Sequence, residues 1–131
     1  MNFDLSKCIV DETISIRGAL KKVEENHHGF VFLRNSEEQI VGLATDGDIR
    51  RGLIRDVSLD DLITSCANHE FVWASVDTSR EQLIKQLDGH IKFIPVLDDQ
   101  RKLHHIVSND FLPLSDEQEL YIRARAPVRI S

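Results

Sequence analysis

One order of segments is written twice along these 131 residues, and that duplication constrains the fold more than any single motif. In the first copy the apolar run Phe30-Val31-Phe32-Leu33 is followed by the polar turn Arg34-Asn35-Ser36-Glu37-Glu38 and a second apolar run, Ile40 to Ala44. In the second copy Phe93-Ile94-Pro95-Val96-Leu97, the turn Asp98-Asp99 and the run Leu103 to Val107 repeat it. Each pair of runs predicts two antiparallel strands joined by the turn. Phe30 and Phe93 stand 63 residues apart (93 − 30), whereas Asp48 and Asp110 stand 62 apart (110 − 48), so this alignment loses one residue in the turn. Each half is too short for a good core of its own, which predicts that the two pack sheet against sheet. Pro95 inside a strand predicts an edge or a bulge.

The helices fit the same scheme. After a short strand at Cys8-Ile9-Val10, Ile16, Ala19, Leu20 and Val23 stand at i, i+3, i+4 and i+7 and give a helix from about Ser15 one apolar face. Asn26-His27-His28-Gly29 ends it. A short helix after Asp48 runs to about Arg55. Ser58 to Ile63 is expected as a linking helical turn, and Phe71-Val72-Trp73 as the first strand of the second copy. Ser79-Arg80-Glu81-Gln82 has the form of a capping box, opening a helix whose apolar face is Leu83, Ile84 and Leu87 and which Gly89 stops. Ser108-Asn109-Asp110 opens a last short helix. The expected fold is α+β (α/β sandwich-like): two β-α-β-β-α repeats with pseudo-two-fold symmetry, spanning 1–57 and 58–114, followed by a segment 115–131.

Apolar residues make up 41% and charged residues 29%, a globular balance rather than a disordered one. The formal charge of −6, with no long basic run before the C-terminus, argues against binding to a nucleic-acid backbone. No apolar run approaches a membrane span and Met1-Asn2-Phe3-Asp4 lacks a signal-like character, so the expected location is the cytoplasm. Cys8 and Cys66 lack metal-type spacing and read as reduced thiols. The histidines (His27-His28, His69, His90, His104-His105) have no i, i+4 ligand spacing, so no metal site is expected. Neighbours on a strand face opposite sides, so only one of His104 and His105 is expected to face a cleft. No nucleophile–base set or carboxylate pair for acid–base work stands out, so no catalytic residue is assigned.

The stretch with chemistry in it is Val41-Gly42-Leu43-Ala44-Thr45-Asp46-Gly47-Asp48-Ile49-Arg50-Arg51. It reads as a strand, a tight polar turn and a helix start. Free backbone N–H groups at a helix start attract an anion, and a hydroxyl and a carboxylate beside them suit a sugar-phosphate. The competing reading is that Asp46 or Asp48 simply caps the helix. Arg50 and Arg51 either reach a polyphosphate or pair with nearby Asp46, Asp56 or solvent.

This repeat resembles a tandem pair of cystathionine-β-synthase-type (CBS) domains, a Bateman module, over roughly residues 5–114. The family signature is Gly, two apolar residues, Thr or Ser, two variable residues and Asp. Gly42-Leu43-Ala44-Thr45-Asp46-Gly47-Asp48 matches it throughout, and Phe93-Ile94-Pro95-Val96-Leu97-Asp98 is similar to a typical family strand. The resemblance implies a regulatory module that binds an adenosine nucleotide (AMP, ADP or ATP) in clefts between the repeats. It implies that Asp48 takes the ribose hydroxyls, since a carboxylate accepts two hydrogen bonds from a vicinal diol, and that Thr45 faces phosphate. Arg51 would reach the phosphates, and Thr78 and Ile94 would furnish the opposite wall. Aligned on Asp110, the second copy has His104 at the Gly position and Val107 at the Thr position. The cleft built on Asp110 is therefore expected to be degenerate, with Ser108 as a possible substitute hydroxyl.

The tail Arg125-Ala126-Pro127-Val128-Arg129-Ile130-Ser131 resembles the opening strand of GHMP-class sugar kinases, most of all the heptose-phosphate kinase branch. That resemblance implies a C-terminal kinase domain on the same polypeptide, with the CBS pair as its regulator and no phosphotransferase activity in these residues. Two alternatives stand beside it. One is a ligand-free module that makes a homodimer through an exposed apolar stripe of Ile49, Leu53 and Ile54. The other is a regulator of a sugar nucleotidyltransferase.

Overall fold

The computed structural model describes residues 5–87 and 93–108. Its contacts divide the chain into two compact units, Met1–Phe71 and Val72–Ser131. The fold is α+β, with a three-stranded sheet in each unit.

In the first unit a 3-10 turn at Leu5–Cys8 leads into β1 (Ile9–Asp11), followed by α1 (Ile16–Asn26), β2 (Phe30–Arg34), β3 (Ile40–Thr45) and α2 (Asp46–Ile54). The sheet order is β1-β2-β3, with β1 parallel and β3 antiparallel to the central β2. β2 is buried at Phe30, Val31, Phe32 and Leu33 in succession, as a central strand covered on both faces should be, whereas β3 alternates. Ser15 caps α1 by accepting from the Gly18 N–H at 3.0 Å, and Ile16, Ala19 and Val23 enter the core with Val31, Leu33, Ala44 and Ile49. Asn26, at the end of α1, is buried, and its side chain satisfies three backbone groups. Nδ2 donates to the carbonyls of Lys7 and Phe30, both at 3.1 Å, and Oδ1 accepts from the His28 N–H at 2.7 Å. One amide thus ties the lead-in, the end of α1 and β2 together.

The segment after α2 belongs to the first unit. Its backbone N–H and C=O groups meet those of the α1 start (Ile16 N–H to Asp61 O, 2.8 Å; Ile63 N–H to Ile14 O, 2.9 Å). Further on it pairs with the free edge of β3, where Leu43 and Asn68 exchange hydrogen bonds of 3.0 and 2.7 Å. His69 adds ring-nitrogen contacts to the carbonyls of Val41 (3.3 Å) and Thr64 (3.1 Å). An edge strand with unpaired amides invites aggregation, and this segment covers it. The helical turn expected at 58–63 is instead a capped turn, with the Asp61 carboxylate accepting from the Ser58 N–H, and the 3-10 turn comes later, at Ile63–Ser65.

The second unit holds β4 (Ala74–Ser75), α3 (Arg80–Gln86), β5 (Phe93–Leu97) and β6 (Leu103–Ser108), in the order β4-β5-β6. Its core gathers Ala74, Leu83, Ile94, Val96 and Val107. Two expectations are corrected here. The strand placed at Phe71-Val72-Trp73 forms at Ala74–Ser75, because Phe71 is drawn against Phe32 (ring centroids 6.3 Å apart) and the Arg101 guanidinium covers Trp73 at 4.8 Å. Of the edge or bulge expected at Pro95, the edge is not found, since Pro95 lies in the central strand, while the register of β5 against β6 slips one residue on, between Val96 and Leu97. Pro95 is tolerated there because β4 pairs only with Val96 and Leu97, leaving the flank of Pro95 beyond its end.

The hairpins repeat pair by pair. Phe30 opposes Thr45 as Phe93 opposes Ser108, and Leu33 opposes Gly42 as Val96 opposes His105. Both registers then slip by one residue, between Leu33 and Arg34 and between Val96 and Leu97. The loops match as well. Asn35 Oδ1 accepts from the N–H groups of Glu37 and Gln39, Asp98 Oδ1 from those of Gln100 and Lys102, and Glu38 and Arg101 take φ of 66° and 64°. A side chain that mimics a backbone turn fixes the loop length in both copies.

That register corrects the alignment made on Asp110. The shift is 63 throughout the hairpin (108 − 45, 105 − 42), so Ser108 rather than Val107 answers to Thr45, and His105 rather than His104 answers to Gly42. The second copy keeps a hydroxyl at this position. Asp110, the helix expected to open there, Gly89 and the 115–131 segment lie outside the described residues.

Candidate functional site

β3 delivers Thr45 directly to the start of α2. Thr45 is extended (φ −101°, ψ 166°) and caps the helix: its Oγ1 accepts from the Asp48 N–H at 3.0 Å, and Asp48 Oδ2 accepts from the Thr45 N–H at 3.0 Å. This reciprocal box is the structural role that the competing reading proposed, and Thr45 rather than Asp46 or Asp48 is the cap. Asp48 Oδ1 accepts from Arg51 Nη2 at 2.9 Å, one turn along the helix. The Arg51 guanidinium lies across Gly47, where an added Cβ would stand 3.1 Å from Nη1. Arg51 therefore pairs with Asp48, not with Asp46 or Asp56 as the competing reading had it. Its side chain is 62% exposed, while that of Asp48 is only 19% exposed.

Hydroxyl, carboxylate and guanidinium thus meet at one helix start, where the helix dipole also presents its positive end. Behind the corner, Gly52 backs onto Cys66. Burial pushes the Cys66 thiol above its ordinary value of 9.0; the Asp48 carboxylate adds to that and Arg55 opposes it. A thiol kept protonated in the fold contributes stability that is complete below about pH 9 and is lost as the pH rises through the folded-state value. Melting temperature should therefore fall more steeply above pH 9 in the native chain than in Cys66→Ala; equal slopes would remove this thiol from the account.

Of the other residues singled out in the sequence, Thr78 and Ile94 belong to the second unit. The Thr78 N–H donates to the Ser75 carbonyl at 3.0 Å, and Ile94 is fully buried among Leu83, Val96 and Val107. Ile49, assigned to an exposed stripe, is buried in the core of the first unit and Leu53 packs against that core, which leaves Ile54 as the exposed member. The reason is helix phase: Ile49 points inward from α2 together with Gly52.

Two recesses of the first unit were not anticipated. One, of about 330 Å³, adjoins the corner through Asp46 and is lined by Glu24, His27, His28 and Gly29. Its signal was present in Gly29, whose φ of 84° turns the chain so that its carbonyl accepts from the Asp46 N–H at 3.0 Å. The other, of about 470 Å³, lies beside β1, where Lys22 and Arg34 face Thr13 and Asp11.

Comparison with known proteins places these features in a family. The chain is 26% identical over 97 residues to an uncharacterised protein of Helicobacter pylori strain J99; the match covers 72% of this chain and 30% of that protein, so the chain spans about three tenths of the relative's length. Among solved structures it resembles the CBS domain protein PAE2072 from Pyrobaculum aerophilum complexed with AMP (TM-score 0.69, 18% identity, 88% of this chain and 90% of that one). It also resembles the CBS domain pair of protein MJ0100 in complex with 5′-methylthioadenosine and S-adenosyl-L-methionine (TM-score 0.66, 23% identity, 78% and 81%). No described helix is long and apolar enough to cross a membrane. The CBS domain model matches residues 6–55 and again 57–110. Because that match takes in both repeats and most of the sequence, the chain belongs to the CBS domain family.

Proposed function

We propose that this chain is a non-catalytic regulatory module that binds an adenosine nucleotide (AMP, ADP or ATP) at the corner made by Thr45, Asp48 and Arg51. The observation that carries the reading is the convergence of those three side chains on the start of α2. The AMP of PAE2072 and the adenosyl compounds of MJ0100, both proteins of like fold, point to the same ligand class. The regulated partner we propose is a GHMP-class sugar kinase domain on the same polypeptide, in the cytoplasm and with homodimeric association. A sugar nucleotidyltransferase partner, or a ligand-free dimerisation role, is the alternative. In favour of the latter, Ile54 is exposed at 74% on α2.

The arrangement has a consequence for how ligand enters. Both carboxylate oxygens of Asp48 are engaged, Oδ2 by the Thr45 N–H and Oδ1 by Arg51. Each oxygen keeps a second lone pair for a ribose hydroxyl, and Arg51 turns from Oδ1 to meet the phosphate of a phosphorylated ligand. With its guanidinium side exposed, the pair is worth about 1 kcal/mol, and the released guanidinium can hold the phosphate. Arg51 then selects phosphorylated ligands over the bare nucleoside. In calorimetric titrations Arg51→Met should weaken AMP by about 10–100-fold, the value of a charge-assisted hydrogen bond. The same variant should bind adenosine no worse, or up to about fivefold tighter, because one carboxylate oxygen is freed. Equal losses for AMP and adenosine would contradict this role for Arg51. Binding of neither ligand by the native chain would contradict the site.

A further inference from the structure

Two helix ends meet beside the corner. His27 (φ 62°) and Gly29 (φ 84°) turn the chain at the end of α1, and the Gly29 carbonyl then accepts from the Asp46 N–H at the start of α2. The recess of about 330 Å³ at this junction is lined by Glu24, from the last turn of α1, and by Asp46, the residue next to Thr45. Asp48 is offset by Arg51, but among the described residues neither Glu24 nor Asp46 is in an ion pair, and Arg50, one turn on from Asp46, does not reach it. Glu24 also stands at the negative end of the α1 dipole, the sign that costs a helix stability, with no basic residue in that turn to compensate. It is exposed, so core packing does not account for a carboxylate there.

We propose that Glu24 and Asp46 make the corner selective for adenosine monophosphate over the diphosphate and triphosphate, an inference that rests on the nucleotide reading above. Arg51 supplies one positive charge, which suits a single phosphate group carrying about two negative charges. A longer phosphate chain anchored on Thr45 and Arg51 runs past Asp46 towards the recess, and each added phosphate brings about one more negative charge. There it meets two carboxylates without ion-pair partners and the negative end of α1. Space is not the obstacle: on a scale of about 30 Å³ for one water, the recess has room for two further phosphate groups. Charge is the obstacle, so the selection is electrostatic rather than steric.

Calorimetric titrations of the full chain with AMP, ADP and ATP test this, with a chelator present so that no divalent cation bridges phosphate and carboxylate. Because His27 and His28 also line the recess, they are run at about pH 8, above the range in which histidines ordinarily carry charge. The native chain should bind AMP about 3–10-fold more tightly than ADP and about 10–100-fold more tightly than ATP, since each unit charge at this range shifts affinity several-fold. Glu24→Gln/Asp46→Asn should tighten ATP by about tenfold or more and move AMP by less than about threefold. Glu24→Gln alone, at an exposed position, should recover part of that gain, which keeps the test open if the double variant melts early. Raising the salt from about 0.05 to 0.5 M should narrow the gap between AMP and ATP in the native chain more than in the double variant. ATP bound as tightly as AMP by the native chain, or a gap that survives in the double variant, overturns this inference and leaves the nucleotide corner standing. Binding of none of the three by the native chain overturns both.

Discussion

Phe32→Ala is expected to destabilise the chain by about 3–5 kcal/mol, the usual cost of emptying a fully buried aromatic site. Phe32 has no exposed surface and sits at the centre of β2, between the β1 residue Ile9 and the β3 residue Leu43. Its ring meets Phe30 edge-on at 5.5 Å and Phe71 at 6.3 Å, so its loss also frees the segment that returns after α2. Sheet and returning segment should loosen together. Chemical denaturation checks this: a lower midpoint with early exchange of the Leu43 and Asn68 amides is expected, and a loss below about 1 kcal/mol would contradict the central place given to Phe32.

Gly52→Ala should cost about 1–3 kcal/mol, although alanine is the better helix former by about 1 kcal/mol. The added Cβ would stand 2.7 Å from the Cβ of Cys66, and both atoms are fixed to backbone, so α2 and the Ile63–Cys66 segment have to separate. Gly18→Ala is the control. Its Cβ would meet only side-chain atoms, Ile14 Cγ1 at 2.7 Å and Cδ1 at 2.9 Å, so rotation of Ile14 relieves part of the strain without moving backbone and the helix-propensity gain offsets part of the rest. Thermal melts of the two variants should differ clearly. Gly52→Ala/Cys66→Gly should recover most of the loss; no recovery would place the strain elsewhere.

Patterns set by neighbouring residues were legible in the sequence. The apolar spacing of Ile16, Ala19 and Val23, the Ser79–Gln82 capping box and both hairpins appear where side-chain period and turn chemistry put them. What depended on pairing between distant residues was not. Asp110 looked like the partner of Asp48 because both are carboxylates. The hairpin hydrogen bonds set the shift instead, and with five-residue loops closed alike by Asn35 and Asp98 there is no room for a lost residue. Phe71-Val72-Trp73 has the composition of a strand, yet Phe71 is used as a core plug and Trp73 as a platform for Arg101. At the corner, the sequence brought Thr45, Asp48 and Arg51 into one short stretch. Only geometry shows that Thr45 is the cap and that Asp48 already has both oxygens engaged.

The central claim about this molecule is that the Thr45–Asp48 corner takes an adenosine nucleotide. The direct measurement is the melting temperature of the native chain and of Asp48→Ala with and without millimolar AMP. Removing the carboxylate loses half of the capping box and should lower the unliganded melting point slightly, a cost of about 0.5–2 kcal/mol. AMP should raise the melting point of the native chain, as a ligand that binds only the folded state must, and leave that of Asp48→Ala unchanged. An unchanged native chain, or an equal rise in both proteins, would contradict the account.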